Sequence, residues 1–122
     1  DAIRLELDVP DVAFGIDTAI PCGLVINELV TNSLKYAFGH GKEDAAIRVE
    51  LSRTDADQYR LIIADNGAGL PNPAETGTVR TLGLRLVNIL VNDQLNGTLK
   101  ARNNNGTEFE VTFREVKYQA RI

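Results

Sequence analysis

Residues 17–38, DTAIPCGLVINELVTNSLKYAF, read as one long helix, placed at 18–38, that carries a narrow polar stripe. Asp17 or Thr18 is placed to supply an N-cap oxygen, Pro21 comes early enough that its missing N–H does little harm, and Gly39 stops the helix after Phe38. At about 100° per residue, Glu28, Asn32 and Lys35 share one face with Thr31 at its margin. Ile20, Leu24, Val25, Ile26, Leu29, Val30, Leu34, Ala37 and Phe38 take most of the remaining circumference, so the helix is expected to be buried. An acid, an amide and an ammonium on such a helix must face one another or a polar ligand. Two readings stay open for the stripe. It is a solvent-facing edge, or a phosphate and metal site in which Asn32 offers the neutral oxygen that Mg²⁺ accepts and Lys35 supplies positive charge.

On either side of this helix the period changes to two. IRLELDV (3–9) reads as a strand ended by Pro10. FGHGKED marks an exposed loop that holds His40, the only histidine, to which no role is assigned. AIRVELSRT (46–54) and QYRLIIAD (58–65) alternate around a turn at Asp55-Ala56-Asp57 and predict an antiparallel hairpin. The second strand runs into DNGAGLP (65–71). Asp65 has the parity of Leu61 and Ile63, so its carboxylate points to the core at the strand end and needs donors, of which an exocyclic purine amine is one. Gly67 and Gly69 permit left-handed backbone and close approach to a flat ligand, although an ordinary D-N-G turn would use the same residues.

PNPAETGTVRTL (71–82) denies any regular element and has the length of a lid. Gly83 then opens GLRLVNILVNDQL, whose Leu86, Val87, Leu90 and Val91 form a helical apolar face; the free N–H groups at its start suit phosphate. Asn96-Gly97 turns the chain into TLKAR (98–102), and Asn103-Asn104-Asn105-Gly106 turns it again into TEFEVTFREV (107–116), a closing hairpin. Thr107 shares the parity of Phe109, Val111 and Phe113 and points inward, where its hydroxyl wants a partner. KYQARI (117–122) reads as a fraying tail, which leaves 1–116 as one domain.

Length and composition bound the possibilities. A chain of 122 residues suffices for one core without staples. The single cysteine, Cys22, lies in the helix as a packed, inert thiol and excludes any disulfide or thiolate-metal framework. No apolar run has the length of a membrane span or a signal peptide, so the expectation is a soluble, cytoplasmic piece without membrane contact. It starts at Asp1 and has no methionine, which points to a segment of a longer protein. A net charge of −4 with scattered Lys and Arg gives no basic stripe for nucleic acid.

The order of these stretches resembles that of the ATP-binding domains of sensor histidine kinases, within the superfamily of gyrase, the ninety-kilodalton heat-shock chaperones and mismatch-repair ATPases. The resemblance covers Ile3 to Phe113: NELVTNSLKYAF (27–38) matches the asparagine box, DNGAGLP the first glycine box, TLGLRLV (81–87) the second, and GTEF (106–109) the closing motif. It implies an α+β fold, a two-layer α/β sandwich with helices on one face of a mixed, mainly antiparallel sheet. It implies ATP and Mg²⁺ as cofactors. Asp65 would receive the adenine amine, with Thr107 nearby and Gly67, Gly69 and Leu70 forming the loop against the base. Asn32 would hold the metal, Lys35 and Tyr36 would contact phosphate or ribose, and Leu82, Gly83 and Leu84 would close the lid's end, the last two through backbone N–H groups.

One position departs from the commoner sensor kinases, which carry asparagine where this chain has Glu28. A glutamate there resembles the ATP-hydrolysing branches, where it positions water, and also a kinase subgroup whose boxes read N-E-L-x-T-N and L-G-L-R-L. The second match is closer, and Glu28 and Lys35 become the candidate catalytic residues, with Glu28 either assisting the metal or phosphates in the nucleotide site or activating a nucleophile. The implied activity is transfer of the ATP γ-phosphate to a histidine on a separate helical dimerisation and phosphoacceptor domain, and from there to a response regulator. Three other readings of the same pocket are an ATP-hydrolysing clamp, an anti-sigma-type serine/threonine kinase and a non-enzymatic nucleotide-sensing module.

Overall fold

In the computed structural model, which describes residues 3–39, 43–55, 57–69 and 82–115, the alternating stretches become strands and the stretches of helical period become two helices. In chain order they are β1 (Arg4–Asp8), α1 (Ile16–Asn32, continued by a π-helical turn at Ser33–Ala37), β2 (Ala46–Arg53) and β3 (Gln58–Asp65). There follow α2 (Leu82–Ile89, continued by a π-helical turn at Leu90–Gln94), β4 (Thr98–Asn103) and β5 (Thr107–Arg114). The strands form one sheet in the order β1-β2-β3-β5-β4, with β1 parallel to β2 and every other pair antiparallel. This is the expected α+β sandwich with a mixed, mainly antiparallel sheet.

Strict alternation explains why the sheet has one dry face. Ile47 and Val49 of β2, Tyr59, Leu61 and Ile63 of β3, and Phe109, Val111 and Phe113 of β5 are buried beneath Cys22, Val25 and Leu29 of α1 and Val87, Leu90, Val91 and Leu95 from α2 and its continuation. The intervening residues carry charge to the other face, where Arg48 pairs with Glu50 at 2.7 Å and Arg102 reaches Glu108 and, at 2.8 Å, Glu110. Phe14, in the connection before α1, sits edge-on to Tyr59 with ring centroids 4.9 Å apart and fastens that connection to the core.

Two expectations about α1 need correction. Its N-cap is Gly15, whose carbonyl accepts from Thr18 N–H at 3.1 Å and Ala19 N–H at 2.9 Å, while neither Asp17 nor Thr18 caps it. Asp17 lies in the first turn, where a carboxylate still complements the helix dipole, and Thr18 is buried. Nor is the helix covered all round: Ile16, Ile20, Leu24 and Leu34 stay exposed, because a helix lying on one sheet buries only the face turned toward it. β1 is similarly bare. Leu5 and Leu7 stand in register with the buried Ile47 and Val49, yet they are 54% and 66% exposed at the sheet edge.

Cys22 is buried and free, and burial pushes its thiol up to about 11, which agrees with an inert packing role. Among the described residues no helix is long and apolar enough to cross a membrane. His40, the lid expected at 71–82 except Leu82, and the tail at 117–122 lie outside the described residues.

Candidate functional site

The site grows from the end of β3. Register opposite Ile47 turns Asp65 to the helical side, as its parity with Leu61 and Ile63 requires, and the residue is buried. A carboxylate there needs donors, and three meet it. Oδ1 accepts from Gly67 N–H at 2.9 Å and Thr107 N–H at 3.2 Å, and Oδ2 accepts from the Ser33 hydroxyl at 2.9 Å. The carboxylate thereby ties together its own loop, the end of α1 and the start of β5. Thr107 is buried as expected, and it is its backbone N–H that reaches Asp65.

The loop after Asp65 is held on two further sides. Asn66 accepts from Ala46 N–H through Oδ1 at 2.9 Å and donates through Nδ2 to the Asp44 carbonyl at 2.8 Å, which fixes it to the entry of β2. Ala68 N–H donates to the Ala37 carbonyl at 3.0 Å, which fixes it to the π-helical turn. Gly67 passes so close to that turn that a Cβ would lie 2.6 Å from Ala37 Cβ. At Gly106 the backbone has φ +137° and a Cβ would lie 2.7 Å from the Asp65 carbonyl carbon, so the turn before β5 requires glycine on both counts. Gly69, with φ +84°, passes against the Asn103 side chain.

A second wall forms where α1 meets the first turn of α2. A Cβ on Gly83 would lie 2.8 Å from Glu28 Oε2 and 3.7 Å from Asn32 Oδ1, so the carboxylate and the amide of the stripe both face the start of α2. Leu84, the next residue, packs partly buried against the core. Lys35 and Tyr36 are exposed in the π-helical turn, where the helix is wound more loosely. Leu70 and the side chain of Leu82 lie outside what the structure describes.

The structure therefore brings Asp65, Gly67, Gly69 and Thr107 together at one end and Glu28, Asn32 and Gly83 at the other. Sequence reasoning passed over Asn66, which ties the loop to the entry of β2, and Ser33, which touches Asp65, although a buried hydroxyl directly after Asn32 had to find a partner. The first group can accept a hydrogen bond from an amine on a flat ligand. The second offers a helix start, a neutral amide oxygen and a carboxylate. Among the described residues no three His, Cys, Asp or Glu side chains cluster as a metal cage.

Comparison with known proteins finds relatives across most of the chain. The family described as "Histidine kinase-, DNA gyrase B-, and HSP90-like ATPase" matches residues 18–117. Blue-light-activated histidine kinase 2 of Erythrobacter litoralis (strain HTCC2594) is 29% identical over 90 residues, which are 74% of this chain and 26% of that protein. Sensor histidine kinase PdtaS of Mycobacterium tuberculosis (strain ATCC 25618 / H37Rv) is 31% identical over 86 residues, which are 70% of this chain and 17% of that one. The chain thus spans about a quarter or less of the curated relatives it matches. Among solved structures, the histidine kinase domain of the Erythrobacter litoralis EL346 blue-light activated histidine kinase superposes with a TM-score of 0.83 at 26% identity, covering 93% of this chain and 52% of that one. The mycobacterial sensor histidine kinase MprB shares the fold, with a TM-score of 0.74 at 22% identity over 93% of this chain and 84% of that one.

Proposed function

Because this chain belongs to the histidine kinase-, DNA gyrase B- and HSP90-like ATPase family, we propose that residues 1–116 are the ATP-binding catalytic domain of a two-component sensor histidine kinase. The observation that carries the reading is Asp65: a buried carboxylate at a strand end, held by three donors. In this reading Asp65 accepts the adenine amine, while Gly67, Gly69, Leu70 and Thr107 form the cradle around the base.

Phosphoryl transfer asks mainly for positioning and neutralisation of charge. Gly83 and Leu84 offer backbone N–H groups to the phosphates, Leu82 closes that end, and Lys35 and Tyr36 reach phosphate or ribose. Asn32 would hold Mg²⁺, which supplies charge neutralisation at the phosphates when bound. A single amide oxygen beside Glu28 suits that ion, because Mg²⁺ keeps several waters and takes its remaining ligands from phosphate rather than from an all-protein cage. Glu28 and Lys35 are assigned the catalytic roles. The acceptor is a histidine on a separate helical dimerisation domain, and a response regulator receives the phosphoryl group next.

Incubation with γ-labelled ATP tests the reading. The chain alone should bind nucleotide without accumulating phosphohistidine, and the label should appear on histidine once the helical domain of the parent protein is added. Stoichiometric phosphohistidine on the chain alone, or no binding at millimolar Mg·ATP, would overturn it.

A further inference from the structure

Asp65 presents two oxygens with about four acceptor positions between them. Among the described residues, Oδ1 is taken twice, by Gly67 N–H at 2.9 Å and Thr107 N–H at 3.2 Å. Oδ2 is taken once, by the Ser33 hydroxyl at 2.9 Å. Among the described residues one acceptor position stays unfilled, on the oxygen that Ser33 holds. Ser33 itself is 4% exposed, so its hydroxyl cannot turn to bulk water, and its location is set by the end of α1, where its backbone N–H is shared between the Leu29 and Val30 carbonyls.

We propose that Ser33 is the positioning residue for purine selection: by donating to Oδ2 it fixes the plane of the Asp65 carboxylate and aims the one unfilled acceptor position at a six-amino group. The inference rests on the reading of Asp65 as the adenine acceptor. The two N–H donors on Oδ1 anchor one oxygen but leave the carboxylate able to swing about it, and a second anchor on the other oxygen removes that freedom. Because Ser33 follows directly on α1 and Asp65 ends β3, the aim of the acceptor is tied to the seating of the helix that also carries Glu28 and Asn32.

The test compares ATP with purine riboside triphosphate, which lacks the six-amino group, on the wild-type chain and on Ser33→Ala, Ser33→Thr and Asp65→Ala. Ser33→Ala should weaken ATP about fivefold, the size of one ordinary hydrogen bond, and leave the analogue unchanged. Ser33→Thr keeps the hydroxyl and should restore ATP binding. Unchanged analogue binding also serves as the control for folding. If Ser33→Ala weakens both nucleotides equally, or neither, the proposal is wrong even when Asp65→Ala abolishes the preference for ATP. If Asp65→Ala leaves that preference intact, the assignment of Asp65 fails first and the role of Ser33 falls with it.

Discussion

Gly67 and Ala37 are in backbone contact: a side-chain carbon at Gly67 would stand 2.6 Å from Ala37 Cβ and closer still to the Ala37 carbonyl oxygen. Two rigid elements meet there, and neither can yield without breaking the Ala68 N–H bond to the same carbonyl. Gly67→Ala is therefore expected to cost about 1–3 kcal/mol, the usual range for overpacking. Urea unfolding of the two proteins measures it, and equal midpoints would refute the contact.

Gly83→Ala should behave differently. The atom in its way is the far end of the Glu28 side chain, which can swing aside, so stability should change by no more than about 0.5 kcal/mol. Displacing that carboxylate from the start of α2 should nevertheless alter Mg·ATP affinity. Calorimetric titration beside a thermal melt separates the two effects.

Replacing Asp65 by Ala removes a charge-assisted acceptor worth about 1.5–3 kcal/mol, or one to two decades in ATP affinity. GTP, which has no six-amino group, should bind the wild-type chain much more weakly than ATP and should lose little in the variant. Competition binding with both nucleotides reads this directly, and equal wild-type affinities would remove adenine recognition from Asp65.

Leu29 and Leu24 lie on the same helix with opposite fates, one fully buried and the other 43% exposed. Leu29→Ala should cost about 2–5 kcal/mol through lost burial and the cavity left behind. Leu24→Ala should stay within about 1 kcal/mol. Chemical denaturation of the pair would show whether α1 seats the face described.

On the outer face of the sheet, the Arg102 guanidinium holds the Glu108 carboxyl below its ordinary range. A depressed folded-state value means that this contribution to stability is full above the ordinary carboxylate pKa and is lost as pH falls toward the folded one. Unfolding measured between about pH 6 and pH 3 should therefore show a steeper acid loss in the wild type than in Arg102→Met. Parallel curves would mean that the pair adds nothing.

Much of this architecture could be read before any coordinates, because alternation over 46–53, 58–65 and 107–114 is imposed by a sheet with one dry face. The inward aim of Asp65 followed from the same parity. What escaped notice was tertiary. Gly15 caps α1 through its carbonyl while its own N–H goes to Glu115 Oε2 at 3.0 Å, a hundred residues away, and no local signal announces such a bond. The apolar circumference of α1 suggested burial all round, but the sheet leaves Ile20 and Leu24 uncovered. The looser winding from Ser33 onward is likewise invisible to a fixed helical period.

The strand order has a bearing on biosynthesis. Among the described strands β5 comes last in chain order, yet it lies between β3 and β4, and it brings the Thr107 amide to Asp65. A nascent chain on the ribosome can pair β2 with β3 early, but its acidic end stays short of one donor until the β4–β5 hairpin is inserted. Nucleotide affinity would thus be acquired only after β5 has emerged and the sheet has been closed from within.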